Sequence, residues 1–324
     1  MDHPSSISFG VGATAPYARH PPNAPYIHIP SISNDGKTFI SIVPSFKNVE
    51  SSQLTQEDLN MITQGKTQIA YDSTTTWVYE SRRTAQPVLD FLYLGPASVA
   101  RDRDFLTQAG ITMILVARDT RMAARFMNVQ RTAEALHIVT ESIDTSGSHE
   151  LIRAFPSAIQ KINGHLLDVY RSQVVHDPEL GSGKAAIDSA NFKRGKVLVC
   201  CESGNDRSAL LVAAYLMDMF GLDLIHAVQF LSLQRFCVNL DDEAKNLLQS
   251  YEDILKAKRD VSRARHGLAQ ASDRGTEVAT ISKPQSKRTI EDLLEDEDVD
   301  MEIEAEDGRG FAPFAEEEYT WDEV

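Results

Sequence analysis

Val199-Cys200-Cys201-Glu202-Ser203-Gly204-Asn205-Asp206-Arg207-Ser208-Ala209 joins two apolar segments of different length and period. Before it, Lys196-Val197-Leu198-Val199 is a short run behind Gly195, the size of a buried central strand. After it, residues 208–220 are apolar on nearly every side, as a helix at the centre of a domain must be. A short loop between such a strand and such a helix receives the unpaired N–H groups of the helix start and forms a cradle for an anion. A cysteine at its beginning meets that positive potential, which draws a thiol toward the nucleophilic thiolate. An arginine after five intervening residues presents a planar fork that holds two oxygens of a phosphoryl group while Sγ attacks phosphorus in line. The spacing predicts a phosphate site with Cys201 as nucleophile and Glu202, Ser203, Gly204, Asn205, Asp206, Arg207 and Ser208 as its loop. Gly204 permits the close turn, and Ser208 donates to the sulfur.

On either side of this segment, short apolar strands alternate with helical stretches, the pattern of an α/β layer architecture with parallel pairing. Residues 91–94 end at Gly95-Pro96, a helix capped by Ser98 is expected to reach Gln108, and 111–117 reads as a buried strand. A helix over 121–136 and a strand over 137–143 follow. Leu151, Ile152, Phe155, Ile159, Ile162, Leu166 and Leu167 then give helical spacing over 150–170, with Pro156 at a tolerated kink. Asp177-Pro178, Gly181-Ser182-Gly183 and Arg194-Gly195 mark 172–195 as an inserted surface loop, and further helices are expected over 223–233 and 241–265. This assigns 77–265 to one domain. Residues 1–76 read as a mostly irregular arm, with seven of the thirteen prolines in the first 44 positions. Alternating β-formers, Tyr26-Ile27-His28-Ile29 and Phe39-Ile40-Ser41-Ile42-Val43, around Asp35-Gly36 predict a hairpin within it.

Of 324 residues, 42% are hydrophobic and 24% charged, enough for an ordinary globular core and unlike a collagen or a wholly disordered chain. The longest apolar run, 209–217, falls far short of the roughly 20 residues a membrane span needs, and MDHPSSISFG lacks the shape of a signal peptide. No membrane span is expected, and a cytoplasmic or nuclear location follows. Three cysteines, Cys200, Cys201 and Cys237, make no disulfide framework and fit a reducing compartment. Cys200 and Cys237 read as small apolar core residues. The nine histidines show no ligand spacing, so no metal is assigned.

Sixteen acids after Arg288 face a single arginine, Arg309, which accounts for the whole net charge of −15; residues 1–288 carry 31 charges of each sign. A neutral body argues against nucleic-acid binding. Residues 266–324 read as a disordered acidic tail, and its Leu293-Leu294, Phe311 with Phe314, and Tyr319 with Trp321 fit recognition by a partner protein. Lys256, Lys258, Arg259, Arg263 and Arg265 suit the C-terminus of the last helix.

The loop resembles that of the cysteine-dependent protein tyrosine phosphatases of the dual-specificity type, which reads His-Cys-x-x-Gly-x-x-Arg-Ser/Thr. Trp77-Val78-Tyr79, Arg82-Arg83, Gln86, Leu89, Leu94-Gly95-Pro96, Ile152-Arg153, Phe155-Pro156, Gly195 to Val199, Arg235-Phe236-Cys237 and Asn239 are similar to the serine/threonine/tyrosine-interacting, or pseudophosphatase, branch of that family. The resemblance spans Trp77 to Lys256. It implies the protein tyrosine phosphatase fold, a mostly parallel central sheet flanked by helices, and phosphorylated proteins as substrates or partners, with no cofactor.

The pseudophosphatase branch lacks the nucleophilic cysteine that this chain keeps at Cys201. The family's histidine before it is replaced by Cys200, and Glu202 and Asp206 place like charges beside a site for a dianion. The family's general acid is an aspartate between the third strand and the next helix, which points to Asp144, although an ungapped count puts Thr145 at that position. An aspartate directly before the loop arginine also resembles the myotubularin-type phosphoinositide phosphatases, where it supplies the proton, which points to Asp206. The resemblance therefore implies hydrolysis of phosphotyrosine, phosphoserine or phosphothreonine through a phosphocysteine. A phosphoprotein-binding scaffold with little turnover is the alternative, and a phosphoinositide phosphatase the third reading.

Overall fold

The computed structural model describes residues 23–28, 39–49, 54–73, 76–176, 185–187 and 192–273. Its elements are β1 (Phe39–Ile42), α1 (Phe46–Val49), α2 (Gln56–Thr63), β2 (Gln68–Tyr71), β3 (Gln86–Leu89), β4 (Leu92–Pro96), α3 (Arg103–Ala109), β5 (Met113–Asp119), α4 (Met127–Ala135), β6 (Val139–Thr145), α5 (Leu151–Arg171), β7 (Val174–His176), β8 (Ala185–Ile187), β9 (Val197–Cys201), α6 (Arg207–Phe220), α7 (Leu224–Gln234) and α8 (Asp242–Asp273). The chain divides into two units, Met1–Ser272, which holds the sheets and helices, and Asp273–Val324. The acidic tail beyond Asp273 lies outside the described residues.

Five strands form the main sheet in the order β3-β4-β9-β5-β6. Only the β3–β4 pair is antiparallel; β4, β9, β5 and β6 run parallel. The chain lays down β5 and β6 first and then returns to the centre with β9, so the strand before the cysteine loop is covered on both edges. Strand alternation sends Val197, Val199 and Cys201 into one apolar core with α5 and α6, and Leu198 and Cys200 into a second core with α3 and α4. In α6 every residue from Ser208 to Phe220 is buried, leaving Arg207 at the loop. That matches its all-round apolar sequence. Among the described residues no helix is long and apolar enough to cross a membrane.

Several local expectations change. Strand β1 pairs antiparallel with β2, Phe39 opposite Tyr71 and Ile42 opposite Gln68; residues 26–28 form no strand, and the expected hairpin turn, within 29–38, lies outside the described residues. An isolated hairpin is marginal, whereas this pairing buries Ile42 and Ala70 in the core. The arm is also less irregular than expected, because α2 carries a capping box between Thr55 and Asp58.

Ser98 caps no α-helix. Asp102 does, its carboxylate accepting from the Phe105 amide at 3.1 Å, and Val99–Arg101 is a 3-10 turn. The stretch expected as one helix over 121–136 divides into a 3-10 segment, Thr120–Phe126, and α4. Within the inserted loop, β7 and β8 pair antiparallel. Helix α8 continues past Arg265 to Asp273.

Candidate functional site

Strand β9 ends at Cys201 and α6 begins at Arg207, so residues 202–206 turn at the C-terminal end of the central strand. Parallel pairing sets Cys201 beside Pro96, and the Cys201 carbonyl accepts from the Ala97 amide at 2.8 Å. Gly204 has φ +75°, and a Cβ there would lie 2.4 Å from the carbonyl carbon of Gly95 and 2.6 Å from its oxygen. Both the conformation and the approach of the two backbones require glycine.

Cys201 is 1% exposed, and its Sγ is the focus of the loop. The Ser208 hydroxyl donates to it at 3.0 Å and the Gly204 amide at 3.2 Å, with Ser203 Oγ at 3.8 Å. The turn and the first residues of α6 thus bring their polar groups to one sulfur. Cys200 points to the other face of the sheet, where burial, joined by the charges of Cys201 and Glu202, pushes its thiol up.

The Arg207 guanidinium is shared between two carboxylates. Its Nη1 donates to Glu202 at 3.4 Å, and its Nη2 lies 3.6 Å from Asp119 Oδ2. Its Nε is buried with no acceptor among the described residues. Asp206 is exposed at the rim and accepts from Ser203 Oγ at 2.9 Å, while the Asn205 amide donates to the same oxygen at 3.1 Å.

Asp144 is not brought to this cluster. It stands in register with Arg118, whose Nε donates to it at 2.6 Å and holds the carboxyl below the usual carboxylate range. Alternation from Ile114 and Val116 places Arg118 and Asp144 on the Cys200 face. Thr145, buried at 2%, and its register partner Asp119 turn to the Cys201 face.

Asp119 is a site residue that the sequence reading missed. Arg121, through its side chain and then its amide at 2.9 Å, holds Asp119 below the usual carboxylate range, and Arg207 adds to this. Only the pairing register reveals which way Asp119 faces.

Behind the loop lies Arg235, fully buried, which bonds the carbonyls of Ser203 and Gly204 and the side chain of Asn205. Cys237, expected in the core, is half-buried and donates to Asn205 Oδ1 at 3.2 Å. Burial, partly offset by Arg235, pushes its thiol up, so it remains a donor. Among the described residues no cluster of metal-ligating side chains occurs.

Residues 92–254, just over half of the chain, match the model of the dual specificity phosphatase catalytic domain. The serine/threonine/tyrosine-interacting protein of Mus musculus is 31% identical over 189 residues, covering 58% of this chain and 73% of that protein. Dual specificity protein phosphatase 13B of Mus musculus is 30% identical over 169 residues, covering 50% and 72%. Among solved structures, the human tyrosine phosphatase-like serine/threonine/tyrosine-interacting protein is similar at 28% identity and a TM-score of 0.40, covering 53% of this chain and 97% of that one. With the strand, glycine-turned loop and buried helix of the site falling inside the matched residues, the chain belongs to the dual-specificity phosphatase family.

Proposed function

We propose that the chain is a cysteine-dependent phosphomonoesterase acting on phosphorylated proteins. The observation that carries this reading is the pair of donors on Cys201 Sγ, from Ser208 and the Gly204 amide, at the start of the loop that Arg207 closes. Sγ attacks phosphorus in line, the bond to the leaving oxygen breaks, and a phosphocysteine forms while Arg207 and loop amides hold the equatorial oxygens. Asp206, at the rim and tied to the loop through Ser203, gives its proton to the leaving oxygen. It then takes a proton from the water that attacks the phosphocysteine and releases orthophosphate.

Replacing Cys201 by Ser should abolish turnover of an aryl phosphate while leaving orthophosphate or tungstate binding measurable by calorimetry. Equal rates in mutant and wild type would remove the enzyme reading.

A second reading is favoured by the carboxylates of Asp119 and Glu202 on Arg207, which compete with a dianion for the same guanidinium. On that reading the domain captures phosphoproteins with little turnover, and its relatives carry the name serine/threonine/tyrosine-interacting protein. Retention of a phosphopeptide without orthophosphate release would support it, and a sustained burst of phosphate would refute it.

A further inference from the structure

Arg235 follows directly on α7, and its guanidinium is buried where a cation is costly unless each donor is met. On one side it grips the loop. Its Nε donates to the Gly204 carbonyl at 3.1 Å, its Nη2 to the Ser203 carbonyl at 3.4 Å, and both to Asn205 Oδ1 at 3.2 and 3.0 Å. On the other side it holds the segment leading into β3 and that strand's first residue, donating to the carbonyls of Thr84 at 2.8 Å and Arg82 at 3.0 Å and to the side-chain oxygen of Gln86.

The carbonyl and N–H of one trans peptide unit point in opposite directions. A donor that pulls the Ser203 carbonyl back therefore turns the Gly204 N–H forward, and that amide is found on Cys201 Sγ at 3.2 Å. Pulling back the Gly204 carbonyl turns the Asn205 N–H forward in the same way, onto Ser203 Oγ at 3.1 Å. We infer that Arg235 is a positioning residue, which aims the Gly204 and Asn205 amides into the anion site by gripping the carbonyls of the same two peptide units from behind. The inference rests on the loop being an anion site, as proposed above, and adds what fixes its donors. The charged groups around that site are Glu202, Asp206 and Arg207 on the loop and Asp119 at the end of β5.

Arg235→Lys keeps the charge and loses the fork. In the full chain, inorganic phosphate should protect Cys201 from iodoacetamide, followed by mass spectrometry of its peptide, and should move the Gly204 and Asn205 amide resonances. With Arg235→Lys the protecting concentration should rise about tenfold and those resonance changes should be lost. Gln86→Met cuts only the far side of the grip, and should lower the melting temperature while phosphate still protects.

A folded Arg235→Lys chain protected at the wild-type concentration, with unchanged amide resonances, overturns the inference alone. A wild-type chain that phosphate does not protect overturns the anion-site reading and this inference with it. Should Arg235→Lys fail to fold, Asn205→Ala removes the side-chain part of the grip. A loss of protection of about threefold is then expected, and no loss overturns the inference.

Discussion

A methyl group at residue 204 would press into the backbone of Gly95 and would hold a left-handed φ of +75° that glycine adopts freely. Strain of this kind costs about 1–3 kcal/mol, but the chain relieves it most easily by moving the loop away from Gly95. Gly204→Ala should therefore lose turnover more completely than its drop in melting temperature would suggest, and a mutant that keeps wild-type kcat would show that the approach is not required. The two candidate acids separate by the same attention to single atoms. Asp144 is tied to Arg118 on the Cys200 face, whereas Asp206 stands on the loop. Asp206→Asn should lower kcat on an alkyl phosphate about a hundredfold and much less on p-nitrophenyl phosphate, whose leaving oxygen needs no proton. The same leaving-group signature in Asp144→Asn instead would reassign the acid.

Helix α5 is joined to the start of β5 through Thr112 Oγ1, 2.8 Å from His165 Nε2, and Thr112 in turn bonds the Lys196 backbone ahead of β9. Burial, only partly offset by Asp168, holds His165 below its usual value. Between the folded value and the unfolded value near about 6.5, the unfolded chain binds more protons, so this contribution is complete at neutral pH and is lost as pH falls. The urea midpoint should decline from pH 7.5 to 5.5, with a slope of at most about 1.4 kcal/mol per pH unit from this group, and His165→Gln should flatten it. An unchanged slope would move the effect elsewhere.

The elements that the sequence makes legible are those whose information is local. The apolar spacing of α5, the run that becomes β5, and the strand and helix on either side of the cysteine loop can each be read without knowing their neighbours. What stays hidden depends on pairing. The partner of β1 lies beyond α1 and α2 in the chain, and the facing of Asp144, Thr145 and Asp119 follows from a register in which a one-residue slip reverses every side chain. Arg235 meets Gly204 across 31 residues, so nothing near either one announces the contact.

At the scale of the whole molecule the charge is divided unevenly, with all of the net −15 after Arg288 and an even balance before it. A phosphopeptide substrate is itself an anion, so the tail's field lowers its local concentration wherever the tail comes within a Debye length, about 10 Å at 0.1 M salt. Salt also competes directly at the loop, and comparing the full chain with one ending at Arg288 cancels that second effect, because both carry the same site. At low salt the full chain should show the smaller kcat/KM on an acidic phosphopeptide, by roughly severalfold, and the ratio of the two should climb toward one as sodium chloride is raised. An uncharged aryl ester would report nothing here; the probe has to carry the charge that the tail repels. A ratio of one at every ionic strength would mean that the acidic segment exerts no field at the loop, leaving partner recognition as its remaining use.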